Sequence, residues 1–306
     1  MKTWLLLALA LLAFPAAAQA QAPERVVVDA EAYYPEGLFW DQPTNSLLYA
    51  EMTRERVRRW QDGTFTDFVD TKSCGPTAVA RAGSVFVIAC HLGGHLLVVD
   101  EQGKLVERVF ESADGRRLVD PNDISSDGTG VYVSDSGTFS PTAPSTGALL
   151  YYQPGQKLTL LATGLQYANG VLVDAAHKRL LVSEHLARRI LSFPIYGPGL
   201  IDVPSVFADI NALVKVVDPW TGPDGLDLGP DGHVYAAIYA GARVLAFDAD
   251  GKALGQFALP MTFSTSVAVS GDGQSLFACG AYDNRLAPYL GPVLRFPLAE
   301  MQPVAP

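Results

Sequence analysis

The chain has 306 residues and a net charge of −10, from 22 Lys and Arg against 32 Asp and Glu. With no run of basic residues, that balance excludes nucleic acid as a partner, because such binding depends on a clustered basic surface. Three cysteines, Cys74, Cys90 and Cys279, are too few for a disulfide scaffold, and they lack the close pairs of a structural zinc site.

Residues 1–20 read as an export signal: Lys2 precedes an apolar run from Trp4 to Phe14, and Ala18-Gln19-Ala20 offers a cleavage site. The run is too short to cross a bilayer, and no later segment has about 18 uninterrupted apolar residues. An exported protein, periplasmic or secreted and without a membrane span, is expected. Residues 21–306 read as one all-β domain, because runs of Val, Ile, Leu, Phe and Tyr alternate with Gly, Asp, Asn and Pro turns. Six strings open similar units: PEGLFW at Pro35, GPTAVA at Gly75, PNDISS at Pro121, ANGVLV at Ala168, PDGLDL at Pro223 and STSVAV at Ser264. The units run to roughly 40 to 55 residues, the period of a propeller blade.

Within each unit a second strand follows (SLLYAE, SVFVIAC, GVYVSD, RLLVSE, HVYAAI, SLFACG), then a third, then in five units a fourth. The sixth unit ends after its third strand, and RVVVDA from Arg25 supplies the missing one, removing two exposed sheet edges. The expected fold is a six-bladed β-propeller with four-stranded antiparallel blades, its ring closed by an N-terminal strand. Short turns at Asp127-Gly128, Asp231-Gly232, Asp250-Gly251 and Asp272-Gly273 belong to one face. Longer connections around 111–120, 137–148, 210–222 and 281–292 belong to the other, which is therefore the working face. Segment 137–148 is a candidate lid.

In this register the second residue of each opening string is Glu36, Pro76, Asn122, Asn169, Asp224 and Thr265. Rotational symmetry brings these positions together at the channel. Two carboxylates (Glu36, Asp224) and two amides (Asn122, Asn169) make a hard-oxygen site for one divalent cation, Ca2+ first, with Mg2+, Mn2+ or Zn2+ as alternatives. Gly37, Gly170 and Gly225 beside them allow close backbone approach. His91 and His185 end second strands near the same face, where they either contact substrate or bond to loop backbone. Cys74 and Cys90 fall at the same end of adjacent strands, as either a disulfide or a free thiol. No G-x-S-x-G elbow supports serine catalysis.

The stretches YPEGLFWDQPTNSLLYAE from Tyr34, DGRRLVDPNDISSDGTGVYVSDSG from Asp114, YANGVLVDAAHKRLLVSE from Tyr167 and GPDGLDLGPDGHVYAA from Gly222 resemble the gluconolactonase, regucalcin and luciferin-regenerating enzyme family. The resemblance covers nearly the whole mature chain. It implies metal ligation by Glu36, Asn169 and Asp224, contact of Asn122 with metal or substrate, and a supporting role for Asp123. One departure stands out: the regucalcin branch carries a substrate-binding arginine two residues before the asparagine, and this chain has Asp120 there. Arg116 or Arg117 is the candidate replacement.

The expected activity is cation-dependent hydrolysis of a small lactone, the cation polarising the carbonyl while Asp224, or secondarily Asp123, orients the attacking water. Two other readings use the same ring: hydrolysis of phosphotriesters, and a non-enzymatic propeller with a structural Ca2+ that binds a ligand.

Overall fold

The structure, a computed structural model, describes residues 26–216 and 218–304. The expected export signal lies outside the described residues. Six antiparallel sheets follow one another along the chain; four are meanders in which consecutive strands are hydrogen-bonded neighbours, and blades 4 and 6 depart from that order. Blade 1 comprises Pro35–Asp41, Ser46–Glu51, Arg56–Gln61 and Thr64–Asp70. The innermost strands of blades 2 to 6 are Pro76–Ala82, Pro121–Ser126, Ala168–Asp174, Gly222–Leu228 and Phe263–Val269. Blade 4 carries one extra short strand, Leu200–Ile201, paired to an extension of its third.

Closure occurs as the sequence predicts. Val26–Tyr33 pairs antiparallel with Leu290–Pro297, so the N-terminal strand is the outermost strand of blade 6. The last blade is thus built from both ends of the described chain.

The apolar runs that identify second strands are long because those strands are buried on both faces. In Val234–Tyr239, Val234, Ala236 and Ile238 pack into the seam with blade 4, while Tyr235 packs into the seam with blade 6. Leu48 faces blade 2, whereas Leu47 and Tyr49 face blade 6. Side-chain alternation with period two therefore feeds two seams at once, and each of the six seams holds one apolar cluster. Each fully buried Val, Leu, Ile or Phe contributes about 1.5–3 kcal/mol.

Polar contacts tie neighbouring inner strands together. Asp123 Oδ2 accepts from Val171 N at 2.8 Å and Ser125 Oγ from Val173 N at 2.9 Å, joining blade 3 to blade 4. Asp227 Oδ2 accepts from Val269 N at 2.7 Å, joining blade 5 to blade 6. Ser266 Oγ accepts from Leu38 N at 3.0 Å, joining blade 6 to blade 1. Inner strands do not pair edge to edge, so these side chains satisfy amides that would otherwise lack a partner. Gly37 and Gly170 lie where the strands approach most closely: a Cβ on Gly37 would collide with the Thr77 backbone, and one on Gly170 with the Asp224 carbonyl.

Among the described residues no helix is long and apolar enough to cross a membrane. Cys74 and Cys90 form a disulfide with Cα atoms 4.4 Å apart, fastening the loop before the inner strand of blade 2 to the end of its second strand.

Candidate metal centre

Pairing shows which residue of each inner strand meets the axis. Pro35 pairs with Glu51, Pro76 with Cys90, Pro121 with Asp135 and Ala168 with Glu184. The residue following each of these, and its counterparts in blades 5 and 6, forms the ring: Glu36, Thr77, Asn122, Asn169, Asp224 and Thr265 line one narrow neck. The sequence register therefore needs one correction. Pro76 pairs with the second strand, and the axial position of blade 2 belongs to Thr77, so the blade-2 string in register is PTAVAR from Pro76 and not GPTAVA from Gly75.

The two threonines turn sideways. Thr77 Oγ1 donates to the Asn122 carbonyl at 2.7 Å, and Thr265 Oγ1 donates to the Pro35 carbonyl at 2.6 Å. Their hydroxyls hold adjacent blades together, which leaves the two carboxylates and two amides as the donors facing the axis. Ser183 Oγ anchors the site from behind, donating to the Asp224 carbonyl at 2.7 Å.

Burial holds the Glu36 carboxyl well above the usual carboxylate range, and the nearby Asp224 and Asp123 push it further. Asp224 is raised by the same two causes, burial and then Asp123, with hydrogen bonds from Asn169 and the Gly225 amide acting the other way. Among the described residues no Lys or Arg lines the cavity above the neck, so the accumulated negative charge has no internal counter-ion. Nor do three or more His, Cys, Asp or Glu side chains gather into a metal-holding group. A donor set of two carboxylates and two amide oxygens, all oxygen and without a cationic neighbour, fits a hard divalent cation.

Asp123 takes a different position from the ring residues. Its Oδ1 and Oδ2 accept from Ile124 N and Val171 N, both at 2.8 Å, and it lines both the neck and the wider channel below it, a cavity of about 480 Å³. Burial raises its pKa to about 7 despite those two amides.

Above the neck lies a smaller cavity of about 110 Å³ on the face that carries the long connections. His91 and His185 both line it. His185 is 1% exposed. Its Nε2 donates to the Trp220 carbonyl at 2.9 Å, and its Nδ1 stands 3.7 Å from Asp224 Oδ2 without a hydrogen-bond partner. Burial pulls its pKa down to about 4, so the ring is neutral at pH 7. His91 is likewise lowered by burial, with Asp120 opposing, and its Nδ1 also lacks a partner.

Neither arginine reaches this cavity. Arg116 Nη2 donates to Asp135 Oδ2 at 3.1 Å and to the Thr146 carbonyl at 3.4 Å. Arg117 is exposed on a small hairpin bridged to Glu111 and is absent from the cavity wall. The wall is instead aromatic: Tyr34, Phe139, Tyr167 and Tyr239 contribute to it. Sequence reasoning left these residues aside, although Tyr34 and Tyr167 each stand two positions before a ring residue, a recurrence readable in YPEG and YANG. Phe139 comes from the candidate lid and packs on Tyr167 and Trp220, with centroids 4.6 Å away in both cases.

The family model for the SMP-30/Gluconolactonase/LRE-like region matches residues 34–279. A pentonolactonase from Haloferax volcanii is 27% identical over 268 residues, covering 83% of this chain and 84% of its own. A gluconolactonase from Xanthomonas campestris superposes with a TM-score of 0.72 at 22% identity, over 89% of both chains. The calcium-binding protein regucalcin from Agrobacterium tumefaciens superposes with a TM-score of 0.71 at 16% identity, over 93% of this chain and 98% of that one. At these identities the two structural likenesses establish the fold.

Proposed function

The chain belongs to the SMP-30/gluconolactonase/LRE-like family, and from that premise we propose that it is a hydrolase that opens a small lactone at a divalent cation held by Glu36, Asn169 and Asp224, with Asn122 completing the donor set. The observation that carries the proposal is the pair of buried carboxylates, Glu36 and Asp224, in one neck with two amides and no internal counter-ion. The lactonase names of the relatives support hydrolysis of this bond type, and the regucalcin likeness supports Ca2+ as the first choice of ion.

A bound cation would act as a Lewis acid, stabilising the negative charge that develops on the carbonyl oxygen. The chain's own groups position the reactants. Asp224, one of the two carboxylates that line the cavity, orients the attacking water. Asn122 and Asn169 offer neutral amide oxygens that hold without adding charge. His185, fixed through Nε2 by the Trp220 carbonyl, presents an unprotonated Nδ1 toward Asp224. Asp123 holds the inner strands of blades 3 and 4 in register beneath the ring, and so keeps Asn122 and Asn169 in place.

We extend the proposal to export into a periplasmic or secreted compartment. The Cys74–Cys90 bridge supports it, because such bonds persist under oxidising conditions.

The deciding experiment follows proton release from a panel of lactones by chelated protein and by protein restored with Ca2+, Mg2+, Mn2+ or Zn2+. Turnover is expected to vanish on chelation and return with one of these ions. Turnover that survives both chelation and Asp224→Ala would refute the proposal.

A further inference from the structure

Beyond the ring oxygens and the unpaired Nδ1 atoms of His91 and His185, the cavity above the ring has few polar atoms left to offer a substrate. The Thr77 hydroxyl is committed to the Asn122 carbonyl, His185 Nε2 to the Trp220 carbonyl, and the Tyr239 hydroxyl accepts from Asn284 Nδ2 at 3.1 Å. Arg116 is committed to Asp135 and Thr146, and Arg117 lies outside. Above the ring oxygens the wall is formed by Tyr34, Phe139, Tyr167 and Tyr239, with the Met52 thioether and the two imidazoles, His91 and His185, beside them. The Phe139 ring roofs the space, seated on Tyr167 and Trp220.

Size and charge act in the same direction. At about 110 Å³ the cavity is well below the roughly 300–1,000 Å³ of ordinary ligand pockets. The carboxylates of Glu36 and Asp224 disfavour an anionic substituent, and no Lys or Arg of the wall is there to attract one. A sugar-acid lactone carries a hydroxyl on nearly every ring carbon, and most of these would leave water for a wall whose unpaired acceptors outside the ring are His91 Nδ1 and His185 Nδ1. A hydrocarbon substituent loses no hydrogen bond on entering and gains contact with aromatic faces.

We infer that this site takes a small uncharged lactone bearing an alkyl or aryl substituent, in preference to polyhydroxylated or anionic sugar-acid lactones. The inference rests on the lactone-hydrolysis reading of the same site and adds its substrate class. Phe139 is the specificity-determining residue, since it closes the cavity with an apolar ring where the opposite face is fixed by the ion-binding oxygens.

The test uses the full chain loaded with Ca2+ and compares alkyl- and aryl-substituted γ- and δ-lactones with aldonolactones of the same ring size. Their kcat/KM values are expected to differ by about 100-fold or more in favour of the hydrocarbon series. Calorimetry with non-hydrolysable lactams of both series provides a readout independent of turnover: alkyl lactams bind and polyhydroxylated ones do not. Phe139→Ala is expected to shrink the preference about tenfold through KM, with an unchanged melting temperature because Phe139 sits on a loop and is 38% exposed. Phe139→Leu should retain most of it. Equal or better turnover of aldonolactones overturns the inference, as does tighter binding of polyhydroxylated lactams or no binding of alkyl lactams. Tight alkyl-lactam binding without turnover of any lactone would instead remove lactone hydrolysis while the ligand class stands.

Discussion

Glu36 and Asp224 meet in one neck at a cost in stability, because burial holds both carboxyls above their usual range, and nearby carboxylates, Asp224 and Asp123 for Glu36 and Asp123 for Asp224, push them further. Glu36→Gln is therefore expected to stabilise the cation-free protein by about 1 kcal/mol, a rise of about 2–4 °C in melting temperature. The same change should weaken Ca2+ binding on the order of 100-fold, as removal of a charged ligand does. Calorimetric titration and thermal melts in chelator check the two halves separately. Asp227 supplies a second test at this scale. Burial raises its pKa to about 7, even though Val269 N and Leu228 N donate to it. Between about pH 4 and pH 7 the folded chain keeps a proton that the unfolded chain has released, so this group's contribution to stability falls as pH rises through that window. Urea midpoints of cation-free protein at pH 4 and pH 7 should differ less in Asp227→Asn than in the parent.

At the scale of the element, a blade stays in place through three kinds of contact: the apolar seam, the side chain-to-amide bonds between inner strands, and in blade 2 a covalent link. The Cys74–Cys90 bond closes a loop with a sequence separation of 16. Chain-entropy considerations assign about 3 kcal/mol to a loop of this size, so the double variant Cys74→Ala, Cys90→Ala should lose that much in urea unfolding. The strand pattern was legible in the sequence because period-two alternation into two seams demands long apolar runs, as in Val234–Tyr239. The axial position of blade 2 was less so. A proline and a threonine stand next to each other there, and only the pairing of Pro76 with Cys90 assigns the channel to Thr77. The role of Asp123 was also hidden, because an acidic residue beside a metal-ligand candidate looks the same in sequence whether it meets substrate or accepts a neighbour's amide.

For the whole molecule, the ring depends on Val26–Tyr33 covering the edge of Leu290–Pro297. Removing the chain up to residue 33 would leave that edge unpaired and uncover part of the seam that holds Ala32. The truncated protein is expected to aggregate or to elute as higher oligomers in size-exclusion chromatography with light scattering, whereas removing residues 1–20 alone should not change elution from the intact ring. The blade count, the closing strand and the converging oxygens at Glu36, Asn122, Asn169 and Asp224 were all determined by sequence, because a rotational repeat turns equal register into shared position. Tertiary structure alone decided the walls of the cavity: Phe139 over it, Arg117 away from it, Arg116 bound to Asp135. Those residues come from connections of unequal length, whose paths follow from packing against neighbouring blades and carry no period that a sequence could display.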